Sequence, residues 1–112
     1  MGKTLNFNTV KKQYLTVTLP DKNKTTLMVS TPTKAVMAEL VTMGEALEEL
    51  RSGENLEIMD QLYDYCARIL SCNKANIKIT KTDLEDVFDI EDLVLLFNTY
   101  TDFVTEVYKT KN

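Results

Sequence analysis

The densest chemistry-bearing residues in this chain are six acids within ten positions: Asp83, Glu85, Asp86, Asp89, Glu91 and Asp92. Paired carboxylates can hold a divalent cation or act as acid and base. Their spacing does not fit a calcium loop: counted from Asp83, Val87 stands where a ligand belongs, and no Gly marks the sharp turn. Acids at helix starts complement the helix dipole and cap free N–H groups, and that is the role the pattern predicts. Cys66 and Cys72 lie six positions apart. Along a helix that is about 600° of rotation, which points the two thiols in different directions. The chain has no His, so two Cys cannot complete a four-ligand zinc site. We read both as reduced, small apolar residues. The lack of His also removes the commonest general base and the usual partner of a nucleophilic Ser or Cys. No Gly-rich phosphate loop occurs. Gly44 sits alone in a helical pattern, where close helix packing would explain it. The expectation is a chain without enzymatic activity, cofactor or metal.

The elements that must carry these residues are legible from their periodicities. Residues 12–19 alternate, with Leu15, Val17 and Leu19 on one side and Tyr14, Thr16 and Thr18 on the other, which predicts a strand. Residues 20–24 form a turn around Pro20, Asp21 and Asn23, and residues 25–30 return with Leu27 and Val29 inward. The hairpin, residues 12–30, must pack on something to be stable. Thr31-Pro32 then opens a helix as N-cap and first position. Its stripe is Val36, Leu40, Met43, Leu47 and Leu50, and Ser52-Gly53 closes it. A second helix over 55–71 turns Leu56, Met59, Leu62, Tyr63, Cys66, Ile69 and Leu70 inward. Residues 73–81 break the helical pattern, with Ile77 and Ile79 in a short extended link. Thr82 with Glu85 reads as a capping box for a short helix, and Asp89 with Asp92 as a second one. The last helix spans about 90–108, with Leu93, Phe97, Tyr100, Val104 and Val107 in a heptad rhythm widened by Leu96 and Phe103. Residues 109–112 are expected to fray. The predicted architecture is a single α+β domain over 1–112, mainly helical: a hairpin, then a helical part over 32–108 made of three long helices and one short one.

The balance of residue types fits that architecture. Apolar residues make up 44% and charged residues 27% of 112 positions, an ordinary globular mixture that argues against disorder or low complexity. No stretch approaches the roughly 20 apolar residues of a membrane span. The first seven residues lack the apolar run of a signal peptide, so the expected location is the cytoplasm. Net charge is −4, but residues 1–34 carry +5 and residues 35–112 carry −9. Such a division suits end-to-end self-association or two different partners. Lys3, Lys11, Lys12, Lys22, Lys24 and Lys34 could meet phosphate, which makes a DNA-binding regulator working through its basic hairpin the alternative reading. Against it, no Arg occurs before Arg51 and the chain as a whole is acidic. The aromatic, heptad-spaced last helix offers Leu93, Phe97, Tyr100, Phe103 and Val104 either as core or as a surface for a partner helix.

The run from Val29 through Thr31-Pro32 to Met37, two helices, the acidic double cap from Ile79 to Leu93, and the aromatic segment from Phe97 to Phe103 together resemble the small tail assembly chaperones of long-tailed bacteriophages and prophages of Gram-positive hosts. The resemblance covers residues 5–107, and its motifs are soft. It implies a protein outside the mature virion, in the cytoplasm of a bacterial host. Such a protein coats the helical, aggregation-prone tape measure protein, helps recruit major tail tube subunits, self-associates, and is displaced as the tube grows. Many members exist in a second, longer form made by translational frameshift. Its working principle would be ATP-independent burial of apolar client surface in repeated weak sites.

Overall fold

A computed structural model describes residues 2–6, 12–51 and 56–110. The alternating segments form an antiparallel hairpin of β1 (Leu15–Thr18) and β2 (Thr26–Val29). Leu15 pairs with Val29 and Val17 with Leu27, so the β-branched and aliphatic side chains of both strands share the inner face. The turn closes through Asp21, whose carboxylate accepts from the Thr25 backbone N–H at 2.8 Å and its hydroxyl at 2.7 Å. Those two donors hold the Asp21 carboxyl below its ordinary value of 3.8.

Four helices follow: α1 (Lys34–Arg51), α2 (Leu56–Ser71), α3 (Lys81–Glu85) and α4 (Ile90–Thr110). The expected α+β, mainly helical fold with three long helices and one short one is what forms. Helix α2 is the axis of the molecule: α1, α3, α4 and β2 all pack on it. It buries Ile58, Leu62, Tyr65, Cys66, Ala67, Ile69 and Leu70. Each such large aliphatic side chain removed from water contributes on the order of 1.5–3 kcal/mol before the entropy of ordering is subtracted. Around α2 the core gathers Leu27 and Val29 from the hairpin, Leu40, Met43 and Leu47 from α1, Leu84 from α3, and Leu93, Phe97, Tyr100 and Val104 from α4. The body measures 61 × 33 × 19 Å, about twice the roughly 31 Å length of its longest helix.

Several local expectations need correction. Strand pairing is shorter at both ends than 12–19 and 25–30. Helix α1 starts two residues after Pro32. Thr33, not Thr31, caps it: its hydroxyl accepts from the Val36 N–H at 3.5 Å, and its carbonyl takes the first helical bond from Met37. The reason lies upstream, where Ser30 is held to the Cys72 carbonyl by its N–H at 2.8 Å and its hydroxyl at 3.0 Å, so the chain is still extended at Thr31. In α2, Leu56 is 80% exposed and Met59 only half-buried, while Ile58 and Tyr65 take core positions. Thr80, not Thr82, caps α3, and its partner is Asp83 rather than Glu85. Residues 109 and 110 continue α4 instead of fraying. A Cβ at Gly44 would meet nothing within 4 Å, so close packing does not account for that glycine. The Ser52-Gly53 closure, the start of the second helix at residue 55, the Leu50 side chain and residues 111–112 lie outside what is described. No helix among the described residues is long and apolar enough to cross a membrane.

Candidate polypeptide-binding groove

The link between α2 and α3 sets up the site. Asn73 is the one buried polar residue among the described side chains. Its amide donates to the Leu70 carbonyl at 2.8 Å and the Ile77 carbonyl at 2.7 Å, while its oxygen accepts from the Ile77 N–H at 2.9 Å. The backbone around it runs beside β2: Ser30 N–H donates to Cys72 O, Lys74 N–H donates to Met28 O, and Val29 bridges Asn73. So β2 is flanked on both sides, by β1 and by residues 72–74.

β1 is flanked on one side only. Leu15 and Val17 lie opposite Val29 and Leu27 in the ladder, and Leu19 N–H donates to Thr25 O at 2.8 Å. Antiparallel pairing alternates, so these odd positions spend their backbone groups on β2. The N–H and C=O of Thr16 and Thr18 therefore face away from it, toward an edge that no strand pairs among the described residues. Across that edge stands one stripe of α4, namely Asp92, Leu95, Leu96 and Thr99 at i, i+3, i+4 and i+7. Phe88, from the α3–α4 corner, and Pro20 also line it. The result is a groove of about 290 Å³ with Leu15, Val17 and Leu96 in its walls and Leu95, 66% exposed, at its lip.

The α3–α4 corner is held by side-chain hydrogen bonds. The Tyr63 hydroxyl donates to the Phe88 carbonyl. Burial and the nearby Asp89, Glu85 and Asp92 carboxylates push that phenol above its ordinary value. Asp89 and Asp92 exchange backbone N–H bonds at 2.9 and 3.0 Å, the reciprocal cap expected from the sequence. Thr80 and Asp83 do the same for α3, and the bonds to Thr80 hold the Asp83 carboxyl below 3.8. Asp83, Asp89 and Asp92 thus serve as caps. Among the described residues no three potential ligands come together in a way that could hold a metal ion.

The residues singled out on α4 fall elsewhere. Leu93, Phe97, Tyr100 and Val104 are buried, and Phe103 is half-buried. The Phe97 ring packs on Tyr65 with centroids 6.0 Å apart, Tyr100 lies 6.1 Å from Phe103, and the Tyr100 hydroxyl donates to Ser30 O at 3.0 Å. These five build the α2–α4 core, and the open stripe is the neighbouring one, a step around the helix. The signal that could have found it was Leu95, a large apolar residue outside the heptad rhythm. Cys66 is buried and its thiol pushed up to about 12, while Cys72 is half-buried and also raised, in both by desolvation. Lys3, Lys12, Lys22, Lys24 and Lys34 are exposed, and Lys11 lies outside the described residues. Of the acids, Asp83, Glu85, Asp86, Asp89 and Glu91 are exposed, and Asp92 lines the groove.

Comparison of the chain with protein-family models, with curated proteins and with solved structures returns no match in any of the three.

Proposed function

We propose that this chain is a tail assembly chaperone of long-tailed bacteriophages or prophages. It acts in the bacterial cytoplasm, holding tape measure protein and helping to recruit major tail tube subunits without ATP or chemical catalysis. The observation that carries the reading is the groove: an apolar trough beside an unpaired strand edge, the surface that recognition of another polypeptide uses. The sequence resemblance supplies the identity of the client. The opposite charges of the hairpin and the α3–α4 corner add support, since clients and copies of unlike charge are steered together. The α4 stripe of Leu93, Phe97, Tyr100, Phe103 and Val104 packs in the core, which leaves the groove as the gripping surface.

The test is co-expression with the long helical tape measure chain encoded beside it, followed by affinity purification. The expected result is a soluble complex whose recovery falls when Leu95 is changed to Glu. A client that stays insoluble, with nothing co-purifying, overturns the proposal. A salt-sensitive shift of duplex DNA by the purified chain would instead favour the regulator reading.

A further inference from the structure

We infer that the groove takes its partner polypeptide as an extended segment laid along β1 as a third strand, with apolar side chains at alternate positions and one Lys or Arg to meet Asp92. This rests on reading the groove as the client's site, and it names the conformation and the side chains that the site accepts.

The two strands of the hairpin differ in a way that sets the occupant. On the far edge of β2 the even positions have partners: Ser30 N–H donates to Cys72 O at 2.8 Å, and Lys74 N–H donates to Met28 O at 2.9 Å. The inward side chains of β2, Leu27 and Val29, are 1% and 0% exposed. Their ladder partners Val17 and Leu15 share the inner face of the sheet but are only half-buried, and Thr16 and Thr18 are exposed. No described residue pairs with the Thr16–Thr18 edge. So β1 lacks the backbone partners that residues 72–74 give β2, and its inner face is left part-open where the groove begins.

Those backbone groups decide between a helix and a strand as occupant. A helix spends its own N–H and C=O groups internally. Laid against this edge, it would strip water from Thr16 and Thr18 and return no hydrogen bond. An extended chain returns them in phase. The residue that bonds Thr16 sends its side chain outward, as Thr16 does, and its two neighbours point inward beside Leu15 and Val17, toward the wall that Leu95 and Leu96 supply. The occupant therefore carries apolar residues at i and i+2, not at the i, i+3 and i+4 spacing of a docked helix. Asp92 is the one charged residue that lines the groove, so a single cationic side chain on the segment complements it. On the tail reading, such segments lie between the client's helices, where the backbone is not already bonded to itself.

The test selects displayed random twelve-residue peptides on the full-length chain, with the Leu95→Glu chain as counter-selection. The expected consensus is apolar-polar-apolar with one Lys or Arg and no Pro in the paired stretch. The best peptide is then synthesised with backbone N-methyl groups at alternate residues, in two sets offset by one position. One set removes the N–H groups that bond Thr16 and Thr18, and its affinity should fall about fivefold or more, while the other set should bind as the parent does. On the protein, Thr16→Pro removes an edge-facing N–H while sparing the ladder to β2, and should weaken the parent peptide about fivefold. Asp92→Asn should weaken it about two- to fivefold and flatten its salt dependence, with no effect on an analogue whose Lys or Arg is replaced by Gln. Selected peptides with helical apolar spacing overturn the inference. So do two methylated sets that bind alike, or a selection in which no peptide distinguishes the chain from its Leu95→Glu variant. If alternating peptides bind and the tape measure chain does not co-purify, only the tail reading falls. If that chain co-purifies and the methylated sets bind alike, only this inference falls.

Discussion

Helices α1 and α2 are written in the same amphipathic grammar and do different work. Among the described residues α1 packs chiefly on α2, through Leu40, Met43 and Leu47. α2 is covered by α1, α3, α4 and β2 at once, and buries seven of its 16 residues while Glu57, Asp60, Gln61, Asp64 and Arg68 stay exposed. The two helices are similar in length, so length says nothing about which one organises the core. What separates them is how many faces find a partner. The stability of the molecule should therefore be concentrated in α2, with α1 an outer layer whose loss is more local.

Truncation is the sharpest way to break that contrast. Leu62→Ala, at a site with no exposure, should cost about 3–5 kcal/mol in urea unfolding, while Leu47→Ala on α1 should cost nearer 2 kcal/mol. Equal costs would erase the distinction. Next in size is Asn73→Ala, just past the end of α2, which leaves the Leu70 and Ile77 carbonyls and the Ile77 N–H without their partner. A loss of about 2–3 kcal/mol and early hydrogen exchange at Ile77 are expected. On α1 the sign reverses. Gly44→Ala meets open space and removes backbone entropy from the unfolded chain, so it should stabilise by up to about 1 kcal/mol in thermal unfolding. The smallest effect is the pH dependence of the turn and the α3 cap. Asp21 and Asp83 have folded-state values below 3.8, so their contribution is present above that pH and fades as pH falls through and below it. Urea midpoints between about pH 5 and pH 2 should fall, and fall less steeply in Asp83→Asn, which removes the carboxylate that accepts from the Thr80 N–H.

Local pattern was enough to read the hairpin and its inward side chains, the number and order of helices and the second acidic cap, because each is decided by neighbours within a few positions. The places that escaped were decided from afar. Thr80 with Asp83 and Thr82 with Glu85 both satisfy a capping pattern. The choice falls to the first because the Ser71 hydroxyl accepts from Ile79 N–H and donates to Ile79 O, both at 2.9 Å, which fixes the chain just before Thr80. Thr31 loses the α1 cap to Thr33 for the same kind of reason, through Cys72 and Tyr100 acting on Ser30. The groove was hidden more deeply. It joins a strand edge to a helix stripe some eighty residues later, and no periodicity within either segment announces their meeting.

Tyr65 donates its phenolic hydrogen to Val36 O in the first turn of α1 and Tyr100 donates to Ser30 O just after β2, both at 3.0 Å. Burial raises both phenols, and that of Tyr63, above their ordinary value of 10. Deprotonation of all three rings is therefore opposed while the chain stays folded. Because the sequence has no tryptophan, tyrosine absorbance is the chain's natural optical reporter. The delayed part of an alkaline titration would read out the unlocking of this junction directly.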